Sequence, residues 1–182
     1  MFFMTWFPSY MQKQYGAGIA ESGLLTLVTQ IPLLIGSLIG GTVIDAIYRR
    51  TGSRRASRQG VAIVSLLLSA LLILLSYPVE GKTLAIILIS AGAFFAGTAG
   101  PAGYTISIDM GGRHVATLFS TMNMMGNVGA MGFPLVVGAI VSFTGRWDIA
   151  LLLFGGSYII AAFCWWRLNP EGTVFDQMPP DK

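Results

Sequence analysis

Few side chains in this sequence can do chemistry, and nearly all of them lie in or beside long apolar runs. Asn123 and Asn127 are four residues apart, so on a helix they share one face, with Ser120 a turn earlier. An amide turned toward hydrocarbon is costly, so this face should look into a helix bundle or a cavity. There the amides could serve either as glue between helices or as neutral contacts for a polar solute. Thr26 and Gln30 form a similar pair, which reads first as glue, and Tyr104, Thr105 and Ser107 gather near the end of another run.

Titratable groups avoid the middle of every apolar run. Asp45 and Asp109 stand at expected helix ends, while Arg113 and the lone His114, read as structural or solvated, occupy a short link. An ion-coupled carrier normally needs an ionisable residue at depth, and this chain shows none. No Ser-His-Asp arrangement, metal-ligand cluster or phosphate-cradling glycine loop is present, so neither an enzyme nor a cofactor or metal is expected. The single cysteine, Cys164, excludes an internal disulfide framework. One basic run stands out: Arg49, Arg50, Arg54, Arg55 and Arg58 follow Asp45 within a short stretch. It reads as a topology determinant touching anionic lipid, and also as a gate in which Asp45 pairs with an arginine in one conformation only.

The elements that must hold these residues follow from composition. The chain has 182 residues, 54% apolar and 10% charged, with mean hydropathy +0.69. A soluble domain usually carries about 25% charged residues, so a water-facing surface cannot be built from this sequence. The net charge of +3 is no nucleic-acid signal, because five of the eleven basic residues sit in the one run. Crossing a bilayer takes about 20 apolar residues of helix. Five segments meet that length: residues 24–44, 60–77, 83–108, 115–143 and 149–168. Residues 1–11 are apolar and aromatic but cover only about 16 Å as a helix, and read as the far half of a helix whose beginning is absent.

Lys and Arg set the orientation. With the first segment running outward, eight basic residues fall inside and three outside, which places both ends and the tail at 169–182 in the cytoplasm. Small residues recur every four positions: Gly36 and Gly40, then Gly92, Ala96 and Gly100, then Gly126, Ala130, Pro134 and Gly138. Such stripes allow close helix packing, or sliding contact between helices. Pro32, Pro101 and Pro134 lie inside spans, where each removes a backbone hydrogen bond and such interruptions can point to a transport path.

At this point the residues resemble a family. Gly41-x-x-x-Asp45 followed by Arg49-Arg50 is similar to the second-half cytoplasmic loop motif of the major facilitator superfamily, departing from it at Ala46, where a basic residue is usual. Asp109-Met-Gly-Gly-Arg113-His114, with Asn123-Met-Met-Gly-Asn127-Val-Gly-Ala-Met-Gly-Phe-Pro134, resembles the tenth-to-eleventh helix region of the anion:cation symporter branch. Thr5-Trp6-Phe7-Pro8-Ser9-Tyr10 resembles the end of that branch's seventh helix. Carriers of galactonate, glucarate and hexuronate belong to that branch.

The resemblance implies an all-α membrane protein: a six-transmembrane-helix bundle with its first helix truncated, forming the C-terminal half of a twelve-helix carrier. Residues 1–168 would be that half-domain and residues 169–182 a cytoplasmic tail. It implies a multi-pass protein of the plasma (inner) membrane that moves a small organic anion together with H+ by rocking-type alternating access, and a missing N-terminal half. Asn123 and Asn127 would face the solute, with Trp6 and Tyr10 bordering it; Gln30, a polar side chain within a span, is a further solute-contact candidate from the residues themselves. Gly41, Asp45, Arg49, Arg50, Asp109 and Arg113 would form the gating loops. Two other readings stand beside it, a self-dimerising six-helix half-carrier and a non-transporting membrane scaffold.

Overall fold

The structure is a computed structural model that describes residues 6–147 and 149–174. Thr5, the rest of the N-terminal segment before Trp6, Asp148 and the tail from residue 175 lie outside the described residues. Within them the chain forms helices joined by short turns: α1 (Phe7–Tyr15), α2 (Ile19–Thr51), α3 (Val61–Leu75, preceded by a π-helical turn at Arg55–Gly60), α4 (Lys82–Gly111), α5 (Val115–Thr144) and α6 (Ile149–Arg167). A 3₁₀ turn at Gly112–His114 joins α4 to α5.

Four continuous helical stretches are long and apolar enough to cross a bilayer, and the longest, Lys82–Thr144, contains both α4 and α5. These two fold back on each other at Gly112, whose φ of 49° suits glycine. Near the turn, Ser107 Oγ lies 3.1 Å from Met122 Sδ and the Tyr104 and Phe119 rings are 5.6 Å apart, the pairing of an antiparallel hairpin. Where the sequence suggests six spans, the described chain thus holds five long helices and one of nine residues, about 14 Å long and too short to cross.

Element ends follow local chemistry. α1 starts with Pro8 in its first turn and stops at Gly16, in the left-handed conformation. α2 runs well past the apolar segment at both ends. Its start is capped by Glu21, whose carboxylate accepts a hydrogen bond from the Gly18 N–H at 3.3 Å. Its far end carries Arg49 and Arg50 in the last turn, favourable at the negative end of the helix dipole, and closes on Gly52 with φ 64°. The link expected at residues 45–59 therefore shrinks, and Asp45 stands inside the helix.

Packing centres on α4. Its most extensive interface is with α2, followed by α3, while α3 packs on α6 and α5 is the most sparsely held of the long helices. The α2–α4 contact is backbone on backbone. A Cβ on Gly36 would lie 2.9 Å from the Phe94 carbonyl carbon, one on Gly40 would lie 2.9 Å from Thr98 Cα, and one on Gly97 would lie 3.0 Å from the Leu33 carbonyl carbon. The stripe on α2 is thus a packing seam, but on α4 the partner is Gly97 rather than Gly100, which meets nothing within 4 Å. Gly92 faces Ile73 of α3 instead. Of the two glycines in the stripe on α5, Gly126 borders open space and Gly138 faces the Trp6 ring.

The main apolar cluster lies at the end away from the basic run, where Phe7, Tyr10 and Met11 of α1 meet Ile73, Ile89, Val137, Leu151 and Phe154. Nearby, Tyr15 donates from its hydroxyl to the Val79 carbonyl at 2.9 Å, tying α1 to the α3–α4 turn. At that same end Lys82, at the start of α4, pairs with Glu21 of α2.

Two outcomes test this packing. Gly36→Ala drives a methyl into the Phe94 carbonyl and should cost about 1–3 kcal/mol or more, seen as a lower thermal transition in detergent. Gly126→Ala, placed in open space on a helix, should leave that transition unchanged or raised. Separately, the hydrogen bond from Lys82 holds the Glu21 carboxyl below its ordinary pKa of 4.5. A carboxyl so lowered stabilises the fold above its ordinary pKa and loses that contribution as pH falls through the folded value. The stability gap between wild type and Glu21→Gln should therefore be present at neutral pH and close on acidification below 4.5.

Candidate functional site

One ion pair between described residues organises the end that carries the basic run. Arg58 Nε donates to Asp109 Oδ2 at 3.0 Å, with the two side chains 8% and 18% exposed. The guanidinium also donates to Ser57 Oγ at 2.9 Å and lies 4.3 Å from the centre of the Tyr48 ring. It thereby joins α2, the π turn and α4. The neighbouring Gln59 is buried and donates through Nε2 to the carbonyls of Trp165, Trp166 and Leu168 at 2.7, 2.9 and 3.0 Å. Carbonyls at a helix C-terminus lack intrahelical donors, so one glutamine amide caps α6 from another helix. The π turn makes this possible by setting three successive polar residues, Ser57, Arg58 and Gln59, inward.

Arg58 and Gln59 escape a sequence reading because Arg58 looks like one more surface charge in the basic run. The available signal is the contrast of Arg58-Gln59-Gly60 with the following apolar segment, since a polar pair at the mouth of a span must find partners. Asp45, the acid expected to gate, is exposed and makes no ion pair among the described residues. Asp109 holds the arginine instead. Arg49, Arg50 and Arg113 are exposed, and Gly41 borders open space.

The solute-facing candidates fall into two groups. Asn123 and Asn127 lie on the exposed middle of α5, each amide donating only to its own helix, to the Phe119 carbonyl at 3.1 Å and the Asn123 carbonyl at 3.0 Å. Each keeps a free N–H and an acceptor oxygen for another partner. Tyr104, 53% exposed, stands over Phe119, one turn below Asn123. Trp6 and Tyr10 belong to the opposite end. Tyr10 is 2% exposed within the main apolar cluster, and Trp6 packs on Gly138, which is about 16 Å along α5 from Asn127. The structure does not bring these two groups together. Gln30 and Trp6 nevertheless share one property: Gln30 Nε2 and Trp6 Nε1 are buried donors without a partner. Thr26 bonds the Ser22 carbonyl at 2.7 Å rather than Gln30. Among the described residues no three His, Cys, Asp or Glu side chains converge as a metal site would require.

Long apolar helices packed through glycines, carrying uncharged polar groups on an unpacked face, define a multi-pass membrane protein. Residues 1–176 match the family profile described as Major Facilitator Superfamily, and the chain belongs to that family of transporters. It is 33% identical over 162 residues to a probable galactarate/D-glucarate transporter of Escherichia coli, covering 88% of this chain and 35% of that protein. It is 30% identical over 181 residues to a hexuronate transporter of Bacillus subtilis, with 94% and 43% covered. A probable sulfoacetate transporter of Cupriavidus necator is 28% identical over 172 residues, with 94% and 40% covered. The chain thus spans roughly two fifths of the length of these relatives.

Removing one partner of a buried pair leaves the other charge stranded, at a cost of about 3 kcal/mol or more. Asp109→Asn should therefore lower the thermal transition of the protein clearly, whereas Asp45→Asn should leave it in place. A differential scanning measurement on both variants in detergent separates them.

Proposed function

We propose that this chain is the C-terminal half of a twelve-helix secondary carrier for small organic anions of the sugar-acid class, working by alternating access and proton-coupled. The observation that carries the reading is the middle of α5. Two amides four residues apart stand on an exposed face with no partner beyond their own helix. In hydrocarbon that arrangement would be costly, so a polar solute pathway is the setting in which it is stable. Galactarate, D-glucarate and hexuronate, the solutes for which relatives are named, carry hydroxyls and carboxylates, groups that amides can meet as both donors and acceptors.

In this reading the solute sits against Asn123 and Asn127, with Tyr104 on its arginine-side flank, and the partner half supplies the opposite wall. Trp6, Tyr10 and Gln30 act from the other end, where the unpartnered donors of Trp6 and Gln30 await a group that arrives in another conformation. The end that carries the basic run faces the cytoplasm of the inner membrane, and Asp45 and Arg113 make their contacts with the other half. Neither a self-dimerising half-carrier nor a scaffold accounts for the amide face as directly.

The test is uptake of labelled galactarate or hexuronate by cells making the whole carrier that contains this chain. Asn123→Ala at unchanged membrane abundance should reduce uptake at least tenfold, the loss expected when a site built to hydrogen-bond a polar solute leaves that solute unpaired. Unchanged uptake would remove Asn123 from the site.

A further inference from the structure

The basic turn between α2 and α3 adjoins a cavity that the transport reading does not use. About 600 Å³ of space lies between α2, α3 and α4, lined by apolar side chains including Ile39, Val43, Ile47, Val64, Leu68 and Phe95. α2 and α3 barely touch each other directly, so both instead lean on α4 and leave a groove between them. From Ala56 to Leu68 the groove runs about 18 Å along the helix axis, close to the hydrocarbon depth of one leaflet. A second cavity of about 350 Å³ continues it, sharing Ala56 and Gly60 and adding Arg55 and Trp166.

The charges at that end are uncompensated. Arg49, Arg50 and Arg55 are exposed and Arg54 half-buried, and none forms an ion pair among the described residues. Arg58 is excluded from this count, being engaged with Asp109. One acid, Asp45, lies a turn before Arg49 and offsets a single charge at most. A greasy trough one leaflet deep, continued by a cavity lined by Arg55 and the exposed Trp166, with Arg49, Arg50 and Arg54 on the helix end and turn that lead into it, matches one kind of molecule.

We infer that an anionic phospholipid docks here, one acyl chain in the α2–α3 groove and its phosphate held by Arg49, Arg50, Arg54 and Arg55. A free anion would need the arginines but not the groove. A neutral lipid would need the groove but gain nothing from the arginines. Each basic residue near an anionic lipid surface is worth roughly fivefold in binding, so the arginines should favour an anionic headgroup by at least tenfold.

The whole carrier containing this chain, purified in detergent, can be titrated with phosphatidylglycerol and with phosphatidylcholine of identical chains and the bound lipid counted by native mass spectrometry. Phosphatidylglycerol should bind at least tenfold more tightly. Replacing Arg49, Arg50, Arg54 and Arg55 by Gln should bring the ratio near one, and replacing them by Lys should keep it. Val64→Trp, at an exposed groove position, should weaken both lipids several-fold without touching the arginines. Equal binding of the two lipids to wild type, or a preference that survives the Gln replacements, would overturn the assignment. So would phosphatidylglycerol binding indifferent to Val64→Trp, which would mean a surface contact or a protein segment in the groove. The Lys variant serves as the folding control, since it keeps every charge and changes only the headgroup geometry.

Discussion

The backbone contact between α2 and α4 is the constraint on which the rest of this bundle depends. In hydrocarbon there is no hydrophobic drive between helices, so association rests on how closely main chains can approach. Gly36 and Gly40 bring α2 onto the Phe94–Thr98 stretch of α4, and Gly97 returns the contact against Leu33. With that crossing fixed, α4 is central. Its other faces take α3 through Gly92, and α5 through the hairpin turn, while α6 is carried indirectly on α3, where Gly155 receives Leu74. Side chains fill what remains, mainly at the end where α1 plugs the bundle with Phe7, Tyr10 and Met11.

The opposite end is held by polar chemistry instead. A single π-helical turn places Arg58 and Gln59 inward together, one satisfied by a carboxylate and a hydroxyl, the other by three carbonyls of a distant helix. Burying an arginine and a glutamine is tolerable only because each finds several partners. The two ends are therefore held differently. The apolar end is filled mainly by side-chain packing, whereas the other end rests on a few polar contacts.

The long elements were legible because bilayer thickness and helical rise convert an apolar run into a span: α4, α5 and α6 begin and end within three residues of the runs read at 83–108, 115–143 and 149–168. α2 was underestimated at both ends because hydropathy marks the buried-in-lipid part of a helix, not its polar overhang. The family was legible from loop and α5 motifs. What the sequence hid was pairing. Asp45 and Asp109 look equivalent at helix ends, and only the third dimension shows which of them meets an arginine. Tyr10 looks like a site aromatic by motif, yet the short α1 folds it into the core. Asn123 and Asn127 share one side of α5, as helical spacing requires, and that side is exposed instead of turned into the bundle.

α2 is 33 residues long, about 50 Å, against a hydrocarbon core of about 30 Å. It cannot end at the membrane surface at both sides, and the excess leaves the last two turns, with Arg49 and Arg50, standing clear of the oil. Its closest main-chain contacts are at Gly36 and Gly40, and the stretch beyond is held by side chains, with Ile44 buried against Val61, Ala62 and Ala102 and the Tyr48 ring against Arg58. The overhang is therefore moored at two depths, by backbone within the oil and by an aromatic and a cation near its edge.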